Sequence, residues 1–321
     1  MKAIQITQQG DASVLQLQAL PKPMPGPGEA LIKLKAAGLN FIDIYQRSGR
    51  YPTPLPYIPG MEGAGVVEEV GEGVTDVKPG DRVAYTSSLG SYAEYHVVKA
   101  YQLIPLPNEI SFEQGAAFPL QGMTAHYLLH EFYQIKKKDV VLVHAAAGGV
   151  GLLLVQWLKH MGAKVIGTVS TDEKAKIAKE AGADHIILYT RDDFVELTNN
   201  MTQGIGADYI IDGVGKTTFT KDLDAVKKRG TICIFGSASG AAEPLQPNAL
   251  QLKSLTVSGG SLFNYLDTRE EILHRANAVL EGIQQGWLKL NIDYVFPLEQ
   301  ASDAQRLLEG RETTGKVILR L

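Results

Sequence analysis

A glycine-rich turn near the middle of the chain follows a short apolar segment. The segment Val140–His144 is apolar at nearly every position, as expected of a strand that is covered on both faces. The turn after it has Ala146, Gly148 and Gly151, which is the G-x-G-x-x-G spacing with alanine in the first position. The second position lets backbone approach a pyrophosphate, and the third lets the next helix pack closely on the strand. The spacing predicts a dinucleotide site; the alternative is a tight turn whose small residues serve packing alone.

The residues after the next strand indicate which dinucleotide binds. A site that prefers NAD places Asp or Glu about 20 residues beyond the turn, where it holds the ribose hydroxyls. Here the strand Lys164–Val169 leads into Ser170, and Lys174 follows one helical turn later. Both side chains can bind a 2′-phosphate, which favours NADPH over NADH. Asp172 counts against this choice, although an aspartate at the start of a helix is equally explained as an N-cap.

Strands and helices alternate in the sequence around this turn and beyond it. The predicted strands are Val140–His144, Lys164–Thr168, His185–Leu188, Tyr209–Asp212 and Thr231–Phe235, and the helices between them begin near Gly149, Asp172, Asp192 and Thr218. Such alternation is typical of parallel strands joined by right-handed crossovers. It predicts an α/β fold with a doubly wound parallel sheet.

The part of the chain before Ser111 is rich in short strands instead. Apolar alternation predicts them at Met1–Ile6, Ala30–Ala37, Gly63–Val70, Asp81–Ala84 and Ser91–Val98, which favours a small barrel or rolled sheet. A capping box at Ser111–Gln114 precedes helical spacing through Gly115–Leu129. The helix Arg269–Gln285 and the strand Lys316–Leu319 are interpreted as a return to the first domain. The nucleotide domain is therefore predicted to be inserted into the first one.

The composition is that of an ordinary globular protein. The 321 residues suggest about two domains, and the net charge of −4 gives no general attraction to nucleic acid or anionic membrane. No apolar run approaches the ~18 residues of a membrane span, and the N-terminus lacks a secretory pattern. We therefore expect a cytoplasmic protein without nucleic-acid or membrane partners. The single cysteine, Cys233, excludes an internal disulfide and a metal site built on several thiolates.

Three further segments carry a family resemblance. They are Gly38–Tyr45, Pro59–Gly65 and Thr313–Lys316. Together with the glycine turn they resemble the quinone oxidoreductases (zeta-crystallin-like), the zinc-free branch of the medium-chain dehydrogenase/reductase superfamily, over essentially the whole chain. The resemblance implies a Rossmann domain at 121–260, inserted into a GroES-like catalytic domain formed by 1–120 and 261–321, with the cofactor in the cleft between them. It also implies NADPH-dependent reduction of quinones or similar activated carbonyl compounds.

The same resemblance implies a set of site residues. Asn40 and Tyr45 would contact the acceptor and stabilise charge that develops on its oxygen. The cofactor would contact Asn40 as well as Thr124, Ala147, Gly148, Gly149, Val150, Gly151, Ser170, Lys174, Tyr189, Phe235, Gly236, Ser237, Leu262, Phe263 and Lys316. Without the resemblance, Asn40 would be interpreted as a turn residue and Tyr45 as a core ring. Asp43 is ambiguous between a helix-surface charge and a support for the site, and Glu62 is a candidate support for the fold around the cofactor.

Zinc-dependent alcohol dehydrogenases of the same superfamily provide a contrast. They bind a catalytic zinc through a cysteine near the Asn40 position and a histidine near the Met61 position. This sequence has neither ligand, so we expect no metal. His126 and His130 are spaced i, i+4 on a predicted helix, but no carboxylate or cysteine at matching spacing completes a metal site. A satisfied or solvent-facing histidine pair is expected there.

Three functions stay open at this point. The first is an NADPH:quinone oxidoreductase, and the second is reduction of the C=C bond of enones or 2-alkenals on the same fold, since acceptor choice depends on the shape of the site. The third is an NADPH-binding protein with a structural or RNA-binding role. The family also implies a homodimer, for which Leu255–Ser258 is the candidate edge strand. The alternative is an interior strand of a monomer.

Overall fold

The computed structural model describes residues 1–321 and divides them into two compact units. Unit 1 comprises Met1–Gln121, Leu266–Asn277 and Leu290–Leu321, and unit 2 comprises Gly122–Tyr265 and Ala278–Lys289. The predicted domain ranges stay predictions; these units differ from them in that Gln121 belongs to unit 1 and 261–265 and 278–289 belong to unit 2. None of the helices has both the length and the apolar character that crossing a membrane requires.

The N-terminal part of unit 1 consists mainly of strands. Its elements are β1 (Lys2–Gln5), β2 (Gln16–Ala19), β3 (Glu29–Gly38), α1 (Phe41–Arg47), β4 (Glu62–Val70), β5 (Arg82–Thr86), β6 (Tyr95–Lys99), β7 (Ile104–Pro105) and α2 (Phe112–Gly115). The strand predicted at Ser91–Val98 begins only at Tyr95, because the backbone amides of Ser91 and Tyr92 donate to the carbonyls of Gly60 and Pro59 instead.

The capping box predicted at Ser111–Gln114 is present. Ser111 Oγ accepts the Gln114 N–H at 3.1 Å, and the Gln114 side chain accepts the Ser111 N–H at 2.9 Å. The helix predicted through Gly115–Leu129 is interrupted, however, and α3 (Pro119–His130) starts anew after α2 ends. Proline lacks a backbone N–H, and the N–H at the first helical position has no acceptor within the helix. This explains why the new helix begins at Pro119.

Unit 2 contains the alternating strands and helices. They are β8 (Val140–Val143), α4 (Gly149–His160), β9 (Lys164–Val169), α5 (Asp172–Glu180), β10 (His185–Leu188), α6 (Phe194–Met201), β11 (Ala207–Asp212), α7 (Phe219–Ala225), β12 (Val226–Ile234) and β13 (Thr256–Gly259). The next helix, α8 (Arg269–Gln284), is divided between the units, with 269–277 in unit 1 and 278–284 in unit 2. The six strands are parallel and lie in the order β10-β9-β8-β11-β12-β13. The doubly wound sheet is confirmed, and β13 is one of its edges.

The C-terminal elements return to the sheet of unit 1. They are β14 (Ile292–Pro297), α9 (Ala301–Glu309) and β15 (Lys316–Arg320). The seven-stranded sheet has the order β14-β15-β3-β4-β5-β7, with β6 also paired to β3. Because β15 pairs with β3, both ends of the chain contribute to one sheet, which confirms the predicted insertion. The register sets Gly38 opposite both Ile318 and Glu62, so the end of β3 meets the starts of β4 and β15.

Apolar cores hold these strands in place. In unit 1, Ile32 of β3 belongs to one buried cluster, while Leu39 beyond its end packs in a second cluster with Val317. In unit 2, Leu142 and Ile210 lie in a single cluster beneath the parallel sheet. The end of β3 is thus anchored on both faces, and the residues that follow it have a fixed position.

Candidate active site

Asn40, Glu62 and Lys316 meet at the edge of the sheet in unit 1. Asn40 is the N-cap of α1, Glu62 is the first residue of β4, and Lys316 is the first residue of β15. Their exposed fractions are 5%, 0% and 2% respectively. Gly38 makes this meeting possible, because a Cβ at that position would overlap the Glu62 carboxylate and the carbonyl oxygen of Ala116. The fold therefore brings two predicted site residues, Asn40 and Lys316, into direct contact.

The three side chains form a closed hydrogen-bonded triangle. Asn40 Nδ2 donates to Glu62 Oε1 at 2.8 Å, and Lys316 Nζ donates to Asn40 Oδ1 at 2.9 Å. Lys316 also forms an ion pair with Glu62 Oε1. The second carboxylate oxygen, Oε2, accepts the backbone N–H of Leu120 at 2.8 Å. Both buried charges thus have a partner of opposite sign and further hydrogen bonds, which offsets the cost of removing them from water.

Asp43 supports the same helix end from inside the core. Its Oδ2 accepts the backbone N–H of Asn40 at 2.9 Å and the hydroxyl of Tyr92 at 3.0 Å, whereas Oδ1 is buried without a partner. Burial raises the pKa of Asp43 to about 7, although these two hydrogen bonds and the charge of Lys316 oppose the rise. Of the two roles considered for Asp43, hydrogen-bond support is correct and a helix-surface charge is wrong.

We expect Asp43→Asn to flatten the pH dependence of stability between about pH 4 and about pH 7. The pKa of Asp43 is raised in the folded protein from its ordinary value of 3.8, so in this window the folded protein keeps a proton that the unfolded chain has lost. The free energy of unfolding therefore decreases as the pH rises through the window. Asparagine retains an acceptor for Asn40 and Tyr92 and does not ionise. Urea unfolding across the window measures both proteins, and an equal decline in the two would contradict the assignment.

Tyr45 lies on α1 but in a separate aromatic cluster. Its ring meets the edge of Tyr51 with centroids 5.3 Å apart, and the Arg50 guanidinium lies 4.5 Å from its centroid. Phe41 is a further neighbour, at 6.2 Å. The Tyr45 side chain is half-buried. Its role in contacting an acceptor stays a prediction.

The glycine turn of unit 2 connects β8 to α4 as predicted. Gly148 is the N-cap of α4, and its N–H donates to the carbonyl of Ala145 at 2.9 Å. Ala145 has φ 53, so the chain reverses sharply there. A Cβ on Gly151 would overlap the same carbonyl oxygen, which explains why this position needs glycine. The first amides of a helix have no acceptor within it, so this turn offers donors suited to a pyrophosphate.

The residues predicted to select the cofactor gather beside this turn. Ser170 directly follows β9, and Tyr189 directly follows the neighbouring parallel strand β10. The two strand ends are tied together, since the Tyr189 N–H donates to Val169 at 3.2 Å and the Thr190 hydroxyl donates to the Ser170 carbonyl at 3.1 Å. Tyr189 is 47% exposed. Lys174 lies in the first turn of α5, so all three side chains are near the carboxyl ends of β9 and β10.

The interpretation of Asp172 as an N-cap is wrong. Thr171 is the N-cap of α5, and its hydroxyl accepts the backbone N–H of Lys174 at 3.2 Å. Asp172 instead forms an exposed ion pair with Arg191 at 3.1 Å. The sequence alone does not indicate this pairing, because Arg191 lies 19 residues after Asp172, on the loop that follows β10. Its charge offsets that of Asp172, and so the acid counts less against a 2′-phosphate than the sequence indicated.

The remaining predicted cofactor residues also belong to unit 2. Phe235, Gly236 and Ser237 follow the carboxyl end of β12, at the same edge of the sheet as the glycine turn. Thr124 is buried on α3, Leu262 is buried in a short helical turn after β13, and Phe263 beside it is 37% exposed. Ala147 lies within the turn, and Gly149 and Val150 are the first two residues of α4. Their contacts with a cofactor stay predictions.

A buried histidine lies directly before the glycine turn. His144 shares hydrogen bonds with Thr168 at 2.9 Å and with Asp222 at 2.8 Å, so it ties the ends of β8 and β9 to α7. Burial raises the pKa of Asp222 to about 7. Burial by itself lowers the pKa of His144, but the adjacent carboxylate reverses this and the net shift is upward. The side chain therefore braces the strand ends beneath the turn.

The histidine pair on α3 packs against an aromatic ring. The His126 and His130 rings are 4.5 Å apart, and both contact the edge of Trp157, at 5.6 and 5.9 Å. His126 is buried and His130 is exposed. The pair is thus partly satisfied and partly solvent-facing.

Comparison with known proteins shows the family of the chain. A model of the alcohol dehydrogenase GroES-like domain matches residues 26–108, and a model named zinc-binding dehydrogenase matches residues 149–278. The chain is 42% identical over 321 residues to a quinone oxidoreductase of Pseudomonas aeruginosa, with 99% of each chain covered. The chain belongs to the quinone oxidoreductase family. This family is part of the medium-chain dehydrogenase/reductase superfamily, as the sequence motifs indicated.

Two further relatives of this quinone oxidoreductase family member are informative. The solved structure of Escherichia coli quinone oxidoreductase complexed with NADPH superimposes with a TM-score of 0.97 at 41% identity, covering all of both chains. A 2-haloacrylate reductase of a Burkholderia species is 40% identical over 305 residues, which cover 92% of this chain and 91% of that protein.

The family model that matches residues 149–278 is named for zinc binding, but the side chains of this chain at the positions of the zinc ligands do not fit a zinc ion. Asn40 is held on both sides of its amide by Glu62 and Lys316. The Met61 sulfur accepts a hydrogen bond from Gln46 at 3.7 Å. An ammonium group beside Glu62 would also repel a cation. Neither an amide bound in this way nor a thioether is a zinc ligand of the usual kind, so these side chains do not fit a zinc ion.

Proposed function

We propose that the chain is an NADPH:quinone oxidoreductase that works without a metal. The observation that carries the proposal is the full-length similarity to quinone oxidoreductases. The structure of one of them is complexed with NADPH, and it superimposes on this chain with a TM-score of 0.97. The glycine turn and the cluster around Ser170 and Lys174 provide the donors and the positive charge that this cofactor needs. Bound NADPH supplies the hydride. The protein contributes binding, orientation and electrostatic stabilisation.

The proposed cofactor contacts are those that the family resemblance implies. They are Asn40, Thr124, Ala147, Gly148, Gly149, Val150, Gly151, Ser170, Lys174, Tyr189, Phe235, Gly236, Ser237, Leu262, Phe263 and Lys316. Asn40 and Tyr45 are the proposed catalytic residues. Each has a neutral donor that can stabilise negative charge on the oxygen of the acceptor, and water supplies the proton.

Comparing acceptors tests the proposed reaction. Steady-state oxidation of NADPH is measured with a quinone and with an enone at matched concentrations. We expect the higher kcat/KM with the quinone. A decisive preference for the enone would instead identify the second candidate, a C=C reductase, which the similarity to a 2-haloacrylate reductase favours. Failure to oxidise NADPH with any acceptor would indicate the third candidate, a binding protein with a structural or RNA-binding role.

Lys174→Ala should raise the KM for NADPH by about tenfold or more, because a charge-assisted hydrogen bond contributes about 1.5–3 kcal/mol. The KM for NADH should not change, since NADH lacks the 2′-phosphate. Lys176→Ala, on the exposed face of the same helix, is the matched control. An equal effect of Lys174→Ala on both cofactors would show that the side chain does not bind the 2′-phosphate.

We also propose that the protein is a cytoplasmic homodimer. The edge position of β13 supports the dimer, since an unpaired edge strand can pair across a two-fold axis. Light scattering should give twice the mass of one chain. A mass equal to that of one chain would contradict the dimer.

A further inference from the structure

The charges around Asn40 fix which way its side-chain amide points. Oδ1 faces the ammonium of Lys316, which can only donate, and Nδ2 faces the carboxylate of Glu62, which can only accept. A flipped amide would bring N–H groups against the ammonium and a carbonyl oxygen against the carboxylate. Both contacts would then be repulsive in a site where all three side chains are buried. Only one orientation is compatible with the site.

This orientation leaves one donor available. The Asn40 amide has two N–H bonds, of which one is used by Glu62 at 2.8 Å. The second makes no hydrogen bond within the chain. The ammonium at Oδ1 also polarises the amide, which strengthens that remaining N–H as a donor. Asp43 fixes the backbone of Asn40, because the Asp43 carboxylate accepts the backbone N–H of Asn40.

We propose that Lys316 and Glu62 are positioning residues that lock and polarise the Asn40 amide so that its free N–H faces the oxygen of the acceptor. The inference rests on the proposed function, in which Asn40 is the group that touches the acceptor. Lys316, a proposed cofactor contact, is 2% exposed and bonded to Asn40 and Glu62, so we assign its main effect on the reaction to the Asn40 amide. Lys316 and Glu62 remain paired with each other when the Asn40 side chain is removed. The effect of Asn40 can therefore be measured separately from the effect of the ion pair.

A double-mutant cycle tests whether Lys316 acts through Asn40. Wild type, Asn40→Ala, Lys316→Met and the double variant are compared by kcat with a quinone and by the dissociation constant for NADPH. We expect Lys316→Met to lower kcat by about 10²-fold, as for a misplaced catalytic group, and to change NADPH affinity much less than kcat. The double variant should be no slower than Asn40→Ala alone. Lys316→Arg, which keeps a charged donor, should recover most of kcat, and Lys78→Met on an exposed turn is the control.

Several outcomes would overturn the proposal. One is a wild-type kcat for Lys316→Met, and another is a double variant slower than Asn40→Ala by the full Lys316→Met factor, because Lys316 would then act on its own. If Lys316→Met does not fold, Glu62→Gln replaces it in the cycle, since glutamine is nearly isosteric and lacks the charge.

A second readout does not depend on catalysis. In protein labelled with ¹⁵N-asparagine, the side-chain amide of Asn40 is assigned by its loss in Asn40→Ala. The Nδ2 proton that Glu62 accepts should exchange slowly in wild type. It should exchange at least about tenfold faster in Lys316→Met, since without the ammonium at Oδ1 the amide can rotate away from Glu62. Unchanged exchange would refute the locking. An inactive wild type with this exchange pattern would refute the proposed function alone.

Discussion

Asn40→Ala should lower kcat for quinone reduction by about 10²–10³-fold, the effect of removing one donor that stabilises charge in the transition state. The fold should survive the change, because Glu62 keeps both Lys316 and the Leu120 amide as partners. NADPH affinity should change much less than kcat, since most of the proposed cofactor contacts lie in unit 2. The effect would therefore fall on the chemical step and not on binding.

Stopped-flow mixing of the enzyme–NADPH complex with a quinone measures that step directly. Asn248→Ala is the matched control, because Asn248 is exposed in a different part of the fold. Tyr45→Phe, measured alongside, gives the separate contribution of the second proposed donor, the Tyr45 hydroxyl. A kcat of Asn40→Ala within a factor of about two of wild type would exclude Asn40 as the group that stabilises the acceptor oxygen.

Two glycines of the same turn should respond differently to a methyl group. At Gly151 a Cβ would overlap the backbone carbonyl of Ala145, so Gly151→Ala requires the turn to open. We expect a loss of several kcal/mol of stability, about 3 or more, and no measurable NADPH binding. At Gly148 a Cβ would lie 3.2 Å from the same oxygen, a close contact that a small shift relieves.

Gly148→Ala should therefore fold nearly as well as wild type but bind NADPH about tenfold or more weakly, because the methyl group blocks the approach of the pyrophosphate. Thermal melting and a fluorescence titration with NADPH measure the two properties separately. Gly259→Ala is a further control, since its Cβ would make only an ordinary contact at 3.5 Å. Equal melting temperatures for Gly151→Ala and wild type would contradict the steric account, and full NADPH affinity in Gly148→Ala would contradict the cofactor turn.

The sequence was most informative where function depends on local spacing. The glycine turn, the capping box at Ser111–Gln114 and the alternation of strands and helices are all encoded within a few residues, and they were predicted correctly. The insertion of the nucleotide domain was predicted as well, from the helix Arg269–Gln285 and the final strand Lys316–Leu319, and the pairing of β15 with β3 confirms it. These features can be predicted without knowing which strands pair.

The triangle of Asn40, Glu62 and Lys316 could not be predicted in this way. Lys316 lies 276 residues from Asn40 and 254 residues from Glu62, and only the pairing of β3 with both β4 and β15 brings them together. Glutamate at the start of a strand after Gly60 and Met61 resembles any bend residue. A signal was present, however, because the motifs of the family resemblance include all three positions.

The pairing of Asp172 with Arg191 was missed for a similar reason. Register between parallel strands decides which loops are neighbours, and the loops after β9 and β10 are adjacent only because those strands pair directly. The aspartate therefore appeared in the sequence as an uncompensated charge at a helix start. The structure gives it a partner at 3.1 Å.

The proposed reaction of this chain is the reduction of quinones by NADPH. The most direct test is a single turnover in which the enzyme–NADPH complex is mixed with a quinone and the nicotinamide absorbance is followed. We predict a quinone-dependent decay that is faster than the decay with an enone, insensitive to a zinc chelator and slowed by about 10²-fold or more in Asn40→Ala. An NADPH complex that forms but is not oxidised by the quinone would contradict the claim.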